Sequence, residues 1–167
     1  MIETESMRFP PPFPPYLETV RAEWVDYNGH MNVAYYVLIF DRASDGLLDA
    51  IGIDEPYRLS QQKSLFVVEA HVAYLRELCA GDPVRVETQI LGYDNKRLHA
   101  FLRMVHGESG ELAATYEILG LHVDMTSRRA APFPEPVRAR IGAISAMHAS
   151  LLRPSEAGRG IALSPRR

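Results

Sequence analysis

The chain lacks several features that would place it outside the cell or in a membrane. Only one of its 167 residues is a cysteine, Cys79, so no internal disulfide can form, which is typical of a reducing compartment. No apolar run approaches the roughly 20 residues that span a bilayer. The N-terminus carries acidic residues and prolines where a signal peptide carries basic and then apolar ones. These absences predict a cytoplasmic protein without a membrane partner.

Sequence motifs for the common catalytic machineries are also missing. There is no G-x-S-x-G nucleophile elbow, no P-loop and no G-x-G-x-x-G dinucleotide fingerprint. The six histidines include no H-x-x-x-H pair, so a metal site is not expected. Cys79 lies close to Glu77 and Asp82, whose charges disfavour a reactive thiolate. Any chemistry is therefore expected to need neither a metal nor a cofactor.

Composition indicates one globular domain of ordinary size. The chain is 47% hydrophobic and 23% charged, and its length is sufficient to bury a core. The net charge of -3 gives no electrostatic reason to expect a nucleic-acid partner. Charge is uneven, however: eight arginines from Arg128 onward face only Glu135 and Glu156, so the C-terminal end is basic.

Hydrophobic periodicity predicts one long helix in the first third of the chain. From Val33 to Phe40 nearly every residue is apolar, and the pattern continues on helical spacing to Ile51, before Gly52 as a stop. A helix that is apolar almost all round is expected to lie buried against a sheet.

The other segments read as strands, termini and one terminal helix. Residues 1–16 are predicted to form an extended Pro-rich arm, because proline resists both helix and sheet. Alternating or β-rich segments predict strands over 17–25, 64–78, 84–93, 97–106 and 112–124, with a helix over 135–153 and a flexible basic tail over 154–167.

This order of elements predicts an α+β fold, a curved antiparallel sheet of about five strands around one long central helix, over residues 17–134. A single helix covers only one face of the sheet. The other face, or a sheet edge, then needs a partner, so we expect a homodimer or a tetramer of dimers.

The heptapeptide DYNGHMN, residues 26–32, precedes the predicted helix and concentrates polar groups there. In a purely structural interpretation, Gly29 supplies a positive φ and Asn32 caps the helix. A helix cap needs only one polar residue, whereas the heptapeptide contains four.

A functional interpretation uses the same geometry. The unpaired N–H groups and the dipole at a helix N-terminus can hold an oxyanion. Asp26 is then the candidate nucleophile or general base, and Asn28 and His30 orient the water or the carbonyl. The pattern suits acyl transfer to water.

The motif D-x-N-G-H-M-N-x-x-Y-Y, followed by a long helix and four strands, resembles the hotdog-fold acyl-CoA thioesterases of the 4-hydroxybenzoyl-CoA thioesterase superfamily over about residues 17–125. The resemblance implies that Asp26 is the catalytic carboxylate and that the backbone N–H of Val33 polarises the thioester. With Asn28 and His30, the motif is more like that of the fatty-acyl thioesterase branch of the superfamily.

The same resemblance implies where coenzyme A binds. A basic pair after the third strand contacts the pyrophosphate in relatives, and that position holds Lys96 and Arg97. Arg128 and Arg129 are weaker candidates for the 3′-phosphate. Hotdog sites form between subunits, so these cations are expected to serve the second chain. Without the family, two solvated turn residues explain Lys96 and Arg97 equally well.

A narrower resemblance concerns the acyl group. The stretches "SLFVVEAHVAYLRE", "QILGYDNKRLHAFLRM" and "LHVDMTSRRAAPFP" are similar to betainyl-CoA thioesterases of carnitine breakdown, which occur alone or fused to L-carnitine dehydrogenase; this chain has no dehydrogenase half. A trimethylammonium acyl group would be held by aromatic faces and an anion. The candidate aromatics are Trp24, Tyr27, Tyr35, Tyr36, Phe66 and Tyr74.

Two questions stay open at this point. Taken singly, the aromatics are better explained as core residues. Glu69, inside an apolar strand, is either the anion that binds the cationic acyl group, an aid in activating water, or an interface residue. A second class of function is a hotdog protein that binds acyl-CoA without turnover, as a sensor or assembly partner. The presence of Asp26 favours the enzyme over the binding protein, because a protein that only binds acyl-CoA has no need of a carboxylate beside the thioester.

Overall fold

The computed structural model describes residues 13–163, which form one antiparallel sheet and three α-helices. The strands are β1 (Tyr16–Thr19), β2 (Lys63–Tyr74), β3 (Pro83–Tyr93), β4 (Arg97–His106), β5 (Leu112–Asp124) and β6 (Arg129–Ala130). The helices are α1 (Val33–Ile51), α2 (Glu55–Gln61) and α3 (Glu135–His148), with a short 3₁₀ helix at Ala22–Trp24.

Helix α1 begins and ends where the sequence predicts. The Asn32 side chain accepts a hydrogen bond from the Ala34 N–H, which satisfies one of the free donors of the first turn. Gly52 ends the helix with a φ of 84°, a left-handed conformation that glycine adopts without steric cost. The buried face of α1 packs on the sheet, where the Phe40 ring stacks on Tyr116 at 5.1 Å.

The strand order is β1-β3-β4-β5-β2, with β6 paired to β5 beyond the start of β4. The sheet curls around α1, so the expected α+β hotdog arrangement is confirmed. Inner-facing and outer-facing residues alternate along each strand. Val72 pairs with Tyr116 on the inner face towards α1, and His71 pairs with Glu117 on the outer face.

Strand β2 forms a long sheet edge that carries large apolar side chains in solvent. Phe66, Val67 and Val68 are 38%, 48% and 54% exposed, and the register shifts between Val67 and Glu69. The opposite edge is only the four-residue strand β1. A long apolar edge is usually covered by another chain, whereas a short edge offers little backbone for another strand to pair with.

Several predicted boundaries were wrong. The strand expected over 17–25 ends at Thr19, because the chain turns into the 3₁₀ helix and buries Trp24 against Tyr35 at 5.3 Å. Strand β2 ends at Tyr74 instead of 78, and α3 ends at His148 instead of 153. Helix α2 was not predicted, although the Asp54 side chain caps it and a proline lies in its first turn.

The described parts of the predicted arm and tail are more closely attached to the domain than their composition predicts. Residues 1–12 and 164–167 of the predicted arm and tail lie outside the described residues. Phe13, at the end of the arm, is 5% exposed and packs on the ring of His148. In the predicted flexible tail, the Gly158 N–H donates to Glu117 on the outer face of the sheet at 2.7 Å.

Two buried histidines make the stability of this fold depend on pH. Burial lowers the pKa of both His122 and His148 below the ordinary value of 6.5. The neutral ring of His148 accepts a hydrogen bond from the Ile90 N–H, and His122 bonds Tyr57 and the Ala131 carbonyl. Protonation of either ring would place a positive charge in a buried site, which would cost free energy.

We expect the free energy of unfolding to fall as the pH drops below 6.5. In that range these histidines bind protons in the unfolded chain more readily than in the folded chain. Urea unfolding at pH 8 and at pH 5.5 measures the change. His148→Gln keeps an acceptor for Ile90 without a titrating ring, so its stability should fall less. An equal pH dependence in this variant and in wild type would contradict the assignment to His148.

Candidate active site

The heptapeptide forms a tight turn that holds the Asp26 carboxylate against the start of α1. The Gly29 N–H bonds the Asp26 carbonyl at 3.0 Å, and the Asp26 N–H bonds the His30 carbonyl at 3.1 Å. Gly29 has a φ of 82°, which explains the glycine in this motif. The Met31 N–H then bonds the Leu78 carbonyl, so the turn is fixed to the segment after β2.

Asn32 connects this carboxylate to the helix. Its side-chain N–H donates to one Asp26 oxygen at 3.0 Å, while its side-chain oxygen accepts from the Ala34 N–H at 3.0 Å. The other Asp26 oxygen accepts the Asn28 N–H at 2.8 Å. The sequence pattern predicts only a helix cap for Asn32. An amide offers a donor as well as an acceptor, and that was the signal for its second role.

The hydrogen bonds keep Asp26 ionised. The Asn28 N–H, followed by the Asn32 side chain, lowers the pKa of Asp26 below its ordinary value of 3.8. His30 lies near enough to contribute in the same direction. Asp26 is therefore a carboxylate throughout the neutral range.

The Val33 N–H, at this end of α1, has no partner among the described residues. The Ala34 N–H is taken by the Asn32 side chain and the Tyr35 N–H by the Asn32 carbonyl. No residue between 13 and 163 accepts a hydrogen bond from the Val33 N–H, and Val33 is 53% exposed. A free N–H on a helix N-terminus is suited to a developing negative charge on oxygen.

The six candidate aromatics do not form one pocket within the chain. Trp24 is 4% exposed, its ring stacks on Tyr35 at 5.3 Å, and the Arg21 guanidinium lies 4.8 Å from the ring centre. These contacts leave little of the ring for an acyl group to touch. Tyr27, at the turn, is 97% exposed, and Phe66 is on the outer face of β2. Trp24 and Tyr35 therefore fit the structural interpretation.

Tyr36 and Tyr74 come together near the heptapeptide. Their rings meet edge to face at 5.3 Å, and the Tyr36 hydroxyl donates to the Arg76 carbonyl at 3.0 Å. Burial raises the pKa of Tyr36 to about 12, so it stays protonated. Tyr36 is buried, but Tyr74 remains 43% exposed on the inner face of β2.

Glu69 is not brought to Asp26 within the chain. It pairs with Leu119, and its register places it on the outer face of the sheet, whereas α1 covers the inner face. It remains exposed at the β2 edge. This placement favours an interface residue over a group that touches a thioester beside Asp26.

The four candidate cations lie at one corner of the sheet. The His122 N–H bonds the Lys96 carbonyl, while Arg129 pairs with Asp124 two residues further along β5. All four are exposed: Lys96, Arg97, Arg128 and Arg129. Arg97 bonds Asp94 at 2.6 Å, and the Lys96 N–H and then Arg97 lower the pKa of Asp94 to about 2.

This basic corner and the Asp26 turn are at opposite ends of β2. Its last residue, Tyr74, pairs with Ala114 and leads to Leu78, which holds the turn. Its first residue, Lys63, pairs with Asp124 beside β6. One chain therefore does not bring its own basic corner to its own Asp26.

Two further observations concern the described part of the chain. Within residues 13–163, no helix is both long and apolar enough to cross a membrane. In the same residues, no three His, Cys, Asp or Glu side chains converge as a metal site would require.

Comparison with known proteins identifies relatives over most of the chain. Residues 20–141 match the family model of the thioesterase-like superfamily. The chain is 42% identical over 150 residues to a betainyl-CoA thioesterase of Pseudomonas aeruginosa, covering 90% of this chain and 94% of that protein.

A fused protein and a solved structure extend this comparison. The L-carnitine dehydrogenase/betainyl-CoA thioesterase of Rhizobium meliloti is 39% identical over 142 residues, which are 85% of this chain but only 28% of that protein. A Staphylococcus aureus protein solved in complex with CoA is 33% identical, with a TM-score of 0.85, covering 90% of this chain and 94% of that one.

Proposed function

Since the chain belongs to the thioesterase-like superfamily and is an acyl-CoA thioester hydrolase, we propose that its substrate is betainyl-CoA and that Asp26 is its catalytic carboxylate. One observation carries the catalytic assignment: the Asn32 side chain bonds both Asp26 and the first turn of α1, beside the free Val33 N–H. The 42% identity to a betainyl-CoA thioesterase supports the proposed substrate.

The reaction adds water across the thioester C–S bond. The thioester oxygen accepts a hydrogen bond from the Val33 N–H and gains negative charge as the carbonyl carbon is attacked. Asp26 either takes the proton of the attacking water or attacks first and is released by water. The carbonyl then re-forms, the C–S bond breaks, and the sulfur leaves with a proton as free CoA. No cofactor is needed.

We propose that the enzyme works as a homodimer joined along β2. The exposed apolar edge of β2 supports this, because a second copy adding in the antiparallel sense would continue the sheet and cover Val67 and Val68. In that pairing, the start of each β2 lies beside the end of the other. The basic corner of each chain thus approaches the Asp26 turn of its partner.

This arrangement also gives the four cations a role. Lys96, Arg97, Arg128 and Arg129 of one chain would bind the phosphates of the CoA whose thioester lies at Asp26 of the other. Exposed Lys and Arg side chains suit a phosphorylated ligand that is itself largely solvated. Asn28 and His30, at the Asp26 turn, would orient the water or the thioester carbonyl.

The proposed setting is the cytoplasm, in carnitine breakdown. An exposed free thiol, Cys79, suits a reducing compartment, where acyl-CoA thioesters are found. Betainyl-CoA hydrolysis would yield glycine betaine and free CoA, and a separate protein would carry out any carnitine oxidation.

Release of free thiol from a panel of acyl-CoAs tests the substrate. We expect betainyl-CoA to give the highest kcat/KM among betainyl-, acetyl-, hexanoyl-, palmitoyl- and 4-hydroxybenzoyl-CoA. A higher value for another member would replace the proposed substrate. Binding of every member without thiol release would instead favour the non-catalytic acyl-CoA-binding protein.

A further inference from the structure

A carboxylate without a partner lies on the flank of α1 that faces β2. The opposite flank faces β1, since Arg42 pairs with Glu18 at 3.2 Å and reaches over Trp24. Successive helical residues differ by about 100° around the axis, so Asp41 does not share the direction of Arg42. The charge of Asp41 acts on Tyr116 of β5, which places Asp41 on the flank towards β5 and, beside it, β2. It is exposed and forms no hydrogen bond or ion pair within residues 13–163.

A second polar side chain, Tyr116, lies near Asp41. Tyr116 is 8% exposed, its ring stacks on Phe40, and its hydroxyl forms no hydrogen bond with any described residue. Burial, and then the Asp41 charge, raise the pKa of Tyr116. Its neighbour across the sheet is Val72 of β2. The Tyr116 oxygen is not sealed from solvent, so it is free to contact water or a ligand at this place.

We call the region along α1 and β2 that is defined by Asp41, Tyr116 and Tyr74 the α1–β2 groove. Tyr74 lies on the same inner face as Val72, two residues further along β2, and its ring is 43% exposed against Tyr36. The groove therefore has an aromatic wall and one uncompensated negative charge. Such a combination recognises quaternary ammonium groups.

The length of the helix segment fits the proposed substrate. Asp41 follows Val33 by eight residues, which correspond to about 12 Å of helix, and side chains on a helix lean towards its N-terminus. A thioester oxygen lies about 3 Å from the N–H that binds it. In a betainyl group the ammonium nitrogen is two bonds from the carbonyl carbon, so an acyl group that runs along α1 would extend its methyl groups towards Asp41.

We propose that the α1–β2 groove binds the cationic end of the acyl group, with Asp41 as the counter-charge and Tyr74 and Tyr116 as the aromatic wall. This assignment rests on the proposed function and adds how the enzyme selects a quaternary ammonium acyl group. It also replaces Glu69, which lies on the outer face, as the anion expected from the sequence.

A pair of isosteric substrates tests the role of the charge. 3,3-Dimethylbutanoyl-CoA has the shape of betainyl-CoA with a carbon in place of the charged nitrogen. We expect Asp41→Asn to lower kcat/KM for betainyl-CoA at least about tenfold and to leave kcat/KM for the neutral isostere nearly unchanged. Asp49→Asn, two turns on and also exposed, is the matched control and should change neither value.

Each alternative outcome separates the two proposals. Equal losses for both substrates, or no loss for betainyl-CoA, would overturn the role of Asp41 while leaving the hydrolase intact. Loss of the oligomer in Asp41→Asn, measured by light scattering, would assign Asp41 to the interface instead. A wild type that hydrolyses the neutral isostere but not betainyl-CoA would overturn the proposed substrate and the groove together.

Discussion

Asp26→Asn is expected to lower the hydrolysis of the preferred acyl-CoA at least about a hundredfold, the usual contribution of a positioned general base. The asparagine has nearly the same shape and keeps an oxygen to accept the Asn28 N–H, but it can neither take a proton from water nor attack the thioester. Thiol release under kcat/KM conditions measures the loss. Asp49→Asn serves here too as the control for removing one exposed carboxylate.

The pH profile provides an independent reading of the same residue. Hydrogen bonds lower the pKa of Asp26 below 3.8, so its carboxylate stays ionised as the pH falls from neutrality towards that value. We expect no loss of kcat/KM from the protonation of Asp26 above about pH 5.

Less than a tenfold loss in Asp26→Asn, with unchanged folding by circular dichroism, would remove Asp26 from the chemistry and favour a binding protein.

Val68→Lys is expected to convert the proposed dimer into monomers and to abolish most of the activity. Val68 is 54% exposed on the long apolar edge of β2, where a lysine places a charge that opposes strand pairing. Activity should fall with the dimer, because the proposed site joins the Asp26 turn of one chain to the basic corner of the other. Light scattering after gel filtration, together with thiol release, measures both effects.

Leu17→Lys provides the matched control for this prediction. Leu17 is 69% exposed on β1, the other edge of the same sheet, and the substitution is of the same kind. It should leave mass and activity unchanged. A Val68→Lys protein that remains dimeric would place the interface elsewhere, whereas an active monomer would show that one chain holds the whole site.

The sequence predicted the elements well where local signals were strong. Helix α1 has an apolar face, an amide cap at Asn32 and a glycine stop at Gly52, and both of its ends were correct. The tight turns after β3 and β4 likewise placed β4 and β5 to the residue. The strand expected through Trp24 failed, because packing of that ring on Tyr35 outweighs the alternation of the segment.

The candidate site divides in a similar way. The DYNGHMN motif drew attention to Asp26 and Val33 because polar residues before an apolar helix are unusual, and the turn and the cap are local in sequence. Local patterns did not separate core aromatics from exposed ones. Trp24 and Tyr74 are both aromatic residues in apolar surroundings, yet only Tyr74 keeps a free surface on the inner face of the sheet.

The sequence by itself determined the long buried helix, the antiparallel strands, and a carboxylate beside the helix N-terminus, because each depends on residues that are neighbours along the chain. The tertiary structure alone decided which face of the sheet Glu69 and Tyr116 occupy, and that the basic corner lies at the far end of β2 from Asp26. In a sheet, a one-residue change of register moves a side chain to the opposite face. Register is set by pairing between distant segments and by a bulge such as the one between Val67 and Glu69, which composition and spacing do not encode.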